Sequence, residues 1–171
     1  MRSLSLSIAA SSLLFACSAE PAAGHSEHHP SATEVNAQKE GGHHEPHVIS
    51  HDSQADFETT LAQLQAAIDA KGFKTFAVID HSAGAASIDQ TLRPTTLIIF
   101  GNPNGGTPVM QAKQMIGLEL PLKMLVAQGD DGVTLTWRDM QHTFHEYGIA
   151  DHPAAEKMSA MLATIAADAG R

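Results

Sequence analysis

The chain has one cysteine, and Cys17 closes a short apolar N-terminus rather than standing in the body of the sequence. Once that thiol is consumed by acylation, disulfides, thiolate catalysis and cysteine-type zinc sites are all excluded. Positive charge is scarce too: 10 basic residues face 19 acidic ones, a formal net charge of −9. That balance excludes a nucleic-acid partner and a broad electrostatic grip on anionic lipid. The apolar stretch from Leu4 to Phe15 is too short to cross a bilayer as a stable helix. Two nucleotide signatures are also missing. No lysine follows the Gly105-Gly106 pair as a Walker loop requires, and Gly-x-Gly-x-x-Gly does not occur.

What is present begins with an address. Arg2 and the apolar stretch after it make residues 1–16 a secretory signal peptide, and Leu13-Leu14-Phe15-Ala16-Cys17 resembles a bacterial lipobox, cut before the cysteine that is then acylated. This predicts a periplasmic protein held on the membrane by lipid. Ser18 stands where an aspartate commonly retains lipoproteins at the inner membrane, which favours the outer membrane. The alternative is ordinary cleavage after Ala19 or Ala23, releasing a soluble secreted protein. Residues 17–47 hold almost no large apolar side chain and predict a disordered tether, with an average span of roughly 30 Å by flexible-chain scaling.

Seven of the 11 histidines fall in or just beyond this tether: His25, His28, His29, His43, His44, His47 and His51. Imidazole ligates Zn, Cu and Ni, so these seven are candidate metal ligands on an adaptable chain. A solvated, pH-sensitive linker is the plainer reading of the same residues.

Residues 48–171 leave room for one domain of roughly 120 residues. The pattern predicts a strand over 47–50, then Ser53-Gln54-Ala55-Asp56 as a capping box for a helix carrying Phe57, Leu61, Leu64 and Ile68. Gly72 and Phe73 read as its Schellman end. A strand over 74–80, a short alanine-rich helix over 82–90 and an apolar strand over 95–100 follow. Thr107 and Pro108 suit the N-cap and first position of a third helix. Strands over 120–128 and 133–138 form a hairpin, with Val133, Leu135 and Trp137 on one inward face. Asp139 caps a short helix stopped by Gly148, and a last helix starts near Pro153 with Ala154, Met158, Met161, Leu162 and Ile165 inward.

The stretch Phe100-Gly101-Asn102-Pro103-Asn104-Gly105-Gly106-Thr107-Pro108-Val109-Met110 resembles the family catalogued as domain of unknown function 302. Ile79-Asp80-His81-Ser82 before a small alanine-rich helix, and Leu120-Pro121-Leu122-Lys123 at a strand start, extend the resemblance over about 48–167. It implies a single compact α+β domain, helices packed on a mostly antiparallel or mixed sheet of about five strands, and no agreed activity. The family's arginine-histidine-glycine ending is replaced here by Glu146-Tyr147-Gly148, so no role is carried over to that histidine.

A glycine-rich loop between an apolar strand and a helix N-terminus favours an anion, which makes Gly101, Asn102, Gly105, Gly106 and Thr107 candidate ligand contacts. A tight turn needing glycine dihedrals explains the same residues. Asp80 and His81 end a neighbouring strand and are expected on the same rim. Adjacent strand residues point oppositely, so Asp80, His81 and Ser82 cannot form a triad among themselves. His142 and His145 share a helix face with no third ligand indicated. The leading expectation is a lipid-anchored periplasmic binding or interaction module that contacts transition metals through its tether. The alternatives are an enzyme acting on a small anionic substrate at the Gly-Asn-Pro loop, and a structural envelope protein contacting another protein or its own copy.

Overall fold

The structure, a computed structural model, describes residues 47–171. The segment expected to be a signal peptide, Cys17, and the candidate metal ligands His25, His28, His29, His43 and His44 of the expected tether lie outside the described residues.

The described chain runs β1 (Val48–Ser53), α1 (Phe57–Ala70), β2 (Lys74–Asp80), α2 (His81–Ala86), β3 (Thr95–Gly101) and α3 (Pro103–Ala112). After a 3₁₀ turn at Gln114–Leu118 come β4 (Leu122–Gln128), β5 (Val133–Arg138), α4 (Met140–Glu146) and α5 (Ala154–Ala169). The five strands form one sheet in the order β1-β5-β4-β3-β2, and every neighbouring pair is antiparallel. The α+β architecture expected from the sequence is therefore the architecture found.

Strand alternation decides which face is covered. Thr96, Ile98 and Phe100 in β3, Leu122, Met124 and Val126 in β4, and Val133, Leu135 and Trp137 in β5 are all buried. The register joins them across strands, with Ile98 opposite Met124 and Met124 opposite Trp137. Leu64 and Ile68 of α1, Phe144 of α4, and Leu162 and Ile165 of α5 complete this core with essentially no exposure. Alternate residues such as Leu97, Ile99 and Leu125 are only half-buried. Period-2 strands and a 3.6-period helix stripe thus meet in one apolar layer.

The helix ends show local chemistry at work. Gly72 and Gly148 both adopt φ 72°, and Phe73 and Ile149 donate their N–H groups to Ile68 and Phe144 at 3.2 and 2.9 Å. These are the two Schellman ends read from the sequence. Asp139 caps α4, accepting from the N–H of Gln141 and His142. Three helix boundaries differ from expectation. Helix α1 is capped by Asp56, which accepts from the Thr59 N–H at 2.8 Å. Ser53 cannot cap it because β1 extends through Ser53 to pair with Val133. Helix α2 stops at Ala86 rather than running to Gln90, the backbone turning through Asp89 at φ 57°.

The third difference matters most. Helix α3 begins at Pro103, with Asn102 as its cap, so Thr107 and Pro108 lie inside the helix. Two prolines five residues apart each suited a first helical position, and the Asn-Pro pair supplies both a capping side chain and a residue with no N–H to satisfy. Pro108 leaves the Asn104 carbonyl without its usual i+4 donor.

Antiparallel order also fixes which residues share an end of the sheet. Lys74 pairs with Gly101, Phe100 with Leu122, and Val48 with Arg138, so the starts of β1, β2 and β4 meet the ends of β3 and β5.

Candidate functional site

At this end of the sheet β3 gives way to α3 with little room. A Cβ on Gly101 would lie 3.3 Å from Phe76 Cε2 and 3.4 Å from Pro121 Cβ, so glycine is what lets the edge strand and the approach to β4 close around the turn. Asn102 then organises the first turn of α3. Its side-chain oxygen accepts from the Asn104 N–H at 3.0 Å, and its carbonyl accepts from Gly105 and Gly106 at 2.9 and 3.1 Å. Pro103 has no N–H. The donors that the sequence offered to an anion are therefore engaged within the helix itself.

What the turn does build is the side of a cavity. Gly105 and Gly106 are helical rather than in the positive-φ region, and a Cβ on Gly106 would meet only Leu120 Cδ1 at 3.8 Å and Met110 Cε at 3.9 Å. With Phe73, Phe76, Met110, Leu120 and Leu122 they line an open space of about 420 Å³. Helix α5 closes it with Ala154, Met158 and Met161. This volume lies in the range of small-molecule sites, and an apolar wall with few polar groups is their usual composition. Methionine side chains adapt to irregular apolar shapes, and three of them meet here. Among the described residues Lys157 is the only charged one of the lining.

Of the seven candidate ligand residues, Gly101, Asn102, Gly105, Gly106 and Thr107 line this cavity. Asp80 and His81 do not. Asp80 pairs with Thr96 at the opposite end of β3 from Gly101. Five residues of extended strand separate those ends by about 17 Å. The shared rim expected for the two groups does not exist, because β2 and β3 are antiparallel. Asp80 instead caps α2, accepting from the Ala83 N–H at 2.9 Å and the Ser82 hydroxyl at 2.8 Å. Those two bonds hold its carboxyl below the ordinary value of 3.8. Ser82 Oγ in turn accepts from the Thr95 N–H at 3.1 Å, tying the corner between β2 and β3.

The two described tether histidines are part of the fold. The carbonyl of His47 accepts from the Asp139 N–H, and its ring stacks on His142 with centroids 3.3 Å apart. His51 pairs opposite Leu135 in β1 and lies against Gly170, where an added Cβ would come within 2.8 Å of its ring. His142 Nε2 is 3.3 Å from Glu146 Oε1, and the His145 ring is 6.3 Å from that of His142. Among the described residues no group of three or more His, Cys, Asp or Glu is placed to hold a metal ion.

Sequence reasoning found the glycine side of the cavity and missed its apolar walls. Met158 and Met161 read as core stripe, Phe73 as a helix-end contact, and Phe76 as an ordinary strand residue. The one available signal was methionine at positions 110, 158 and 161, on helices that a single domain must bring together.

The sequence and the α+β fold of this domain both match known proteins. The family model for Domain of unknown function DUF302 covers residues 49–165, and the chain belongs to that family. The crystal structure of an uncharacterized conserved DUF302 protein from Bacillus stearothermophilus superposes with a TM-score of 0.64 at 17% identity. The match covers 73% of this chain and 98% of that one, and it confirms the fold. Among curated proteins, the chain is 34% identical over 121 residues to proteins named fluoride-specific ion channel FluC 1 in Brucella suis and Brucella abortus. The matched stretch is 69% of this chain but only 48% and 45% of those proteins, so the chain spans about half the length of the curated relatives it matches. No helix among the described residues is long and apolar enough to cross a membrane.

Proposed function

We propose that this protein is a lipid-anchored periplasmic binding module whose DUF302 domain takes up a small apolar molecule. The observation that carries this reading is the open cavity of about 420 Å³ between Phe76, Met110 and Met158. Apolar surface left facing a cavity of this size gains roughly 25 cal/mol per Å² when a ligand covers it. The acyl anchor at Cys17 would hold the domain near the membrane, where apolar molecules concentrate, and a histidine-rich tether adds transition-metal contact upstream of the fold.

The test is titration of the chain from residue 18 onward with the neutral probe N-phenyl-1-naphthylamine. A saturable rise in fluorescence is expected, lost in Gly106→Leu, whose side chain would project toward Leu120 and Met110 while suiting the helix. Absence of binding, or binding unchanged in a folded Gly106→Leu protein, overturns the reading.

The likeness to proteins named as fluoride channels favours a second reading, in which the domain is an accessory to an envelope membrane protein. Under it, deletion of this gene product would slow fluoride efflux from cells, and normal efflux would dismiss it.

A further inference from the structure

Cations are few in this acidic chain, and most of the described ones have partners. Lys71 and Arg171 face Asp168, Arg93 faces Asp130, and Arg138 reaches both Glu119 and Glu146. Lys123 Nζ donates to the Glu119 carbonyl at 3.1 Å. Among the described residues Lys157 makes no ion pair, although it is the charged residue of the cavity lining, and none of the described acidic side chains lines that cavity. Lys74 is also without an acidic partner among the described residues. It stands opposite Gly101, with its ammonium 5.8 Å from the centroid of the cavity's Phe76 ring. Two ammonium groups with no acidic partner among the described residues therefore attend an apolar hole in a protein whose formal charge is −9.

We propose that the cavity's ligand is a single-chain anionic amphiphile, a long-chain carboxylate whose tail fills the space between Phe76, Met110 and Met158 and whose head group is held at the mouth by Lys157. This rests on the cavity being the binding site. The lysine stem can lie along the apolar wall while its ammonium stays at the water boundary, which is where a carboxylate on a buried tail must also stay. Size sets the tail. At about 30 Å³ per methylene-sized group, close to one water's share of liquid volume, the cavity takes a chain of roughly a dozen carbons. A two-chain phospholipid exceeds that volume. The helix N-terminus is not the head-group site, because the first-turn N–H groups of α3 are engaged by Asn102.

The experiment titrates the chain from residue 18 onward, calorimetrically and below aggregation concentrations, with octanoate, decanoate, dodecanoate and hexadecanoate. Dodecyltrimethylammonium serves as the opposite head group and N-phenyl-1-naphthylamine as the neutral probe. Affinity should rise about fourfold per added methylene and level off near dodecanoate. Dodecanoate should bind at least tenfold more tightly than the cationic amphiphile. Lys157→Glu should cut that preference to within about threefold, and adding Lys74→Glu should abolish it, with circular dichroism and saturable neutral-probe binding showing that each variant is folded and keeps a cavity. Equal affinity for the two head groups, or a preference that survives both substitutions, overturns the proposal while leaving the apolar site standing. Failure of the neutral probe itself overturns the site and the proposal together.

Discussion

Replacing Gly106 with alanine should stabilise the domain. Gly106 lies within α3 and its N–H bonds back to the Asn102 carbonyl at 3.1 Å, so its backbone is already helical. The new methyl would meet Leu120 Cδ1 at 3.8 Å and Met110 Cε at 3.9 Å, both ordinary contacts. An alanine in a helix forfeits less conformational entropy on folding than glycine, which is worth about 0.5–1 kcal/mol. For a domain of this length that is a rise in Tm of roughly 2–5 °C. Gly105→Ala should act in the same direction, since nothing lies within 4 Å of its added Cβ. Gly72→Ala and Gly148→Ala are the controls. They too have open space around the new methyl, but both residues sit at φ 72°, where a side chain costs about 1 kcal/mol or more. Thermal melts followed by circular dichroism should therefore split four chemically identical substitutions into two that raise Tm and two that lower it. A Gly106→Ala protein that melts below wild type would refute the helical assignment and return the segment to a strained loop.

Acid stability should depend on Asp80. Its folded-state pKa lies below the ordinary 3.8 through the Ala83 N–H and Ser82 hydroxyl, so its contribution is present above that value and lost as pH falls through the folded one. Asp80→Asn keeps a cap that does not titrate, and should lose less Tm than wild type between pH 7 and about pH 2; equal losses would show that the cap does not couple to protonation. Cys17→Ser should release the protein from the membrane fraction and remove the mass of the acyl groups, and unchanged fractionation and mass would dismiss the lipid anchor. Deleting residues 24–46, which spares the His47 carbonyl that accepts from Asp139, should abolish most Zn or Cu uptake. Full uptake by the shortened chain would move the metal to domain histidines such as His81, His142 or His145.

The parts of this fold that were legible are those governed by local rules. The alternation of Val133, Leu135 and Trp137 and the two glycine-terminated helix ends each depend on residues a few positions apart. The parts that were not legible depend on choices between equivalent local signals, or on contacts across the sheet. Asn102-Pro103 and Thr107-Pro108 are both sound helix starts by local chemistry, and selecting between them needs the position of Pro121, which crowds Gly101 from another strand's approach. Strand polarity was equally out of reach. Asp80 and Gly101 would share a rim if β2 and β3 ran parallel, and the antiparallel register sends them to opposite ends.

The cavity follows the same logic. Its glycine side is contiguous in sequence and was singled out, whereas Phe73, Leu122, Lys157 and Met161 come from elements that meet only once the sheet order is known. A methionine on an inward helix stripe reads identically whether it packs against a neighbour or faces an opening, because amphipathic period reports which face is inward and nothing about what fills the space there. The information that separates the two cases is the absent side chain of Gly106 on the facing helix. A larger side chain there tests whether the space is a site, since it would project toward Leu120 and Met110 and leave the residues of the stripe itself unchanged.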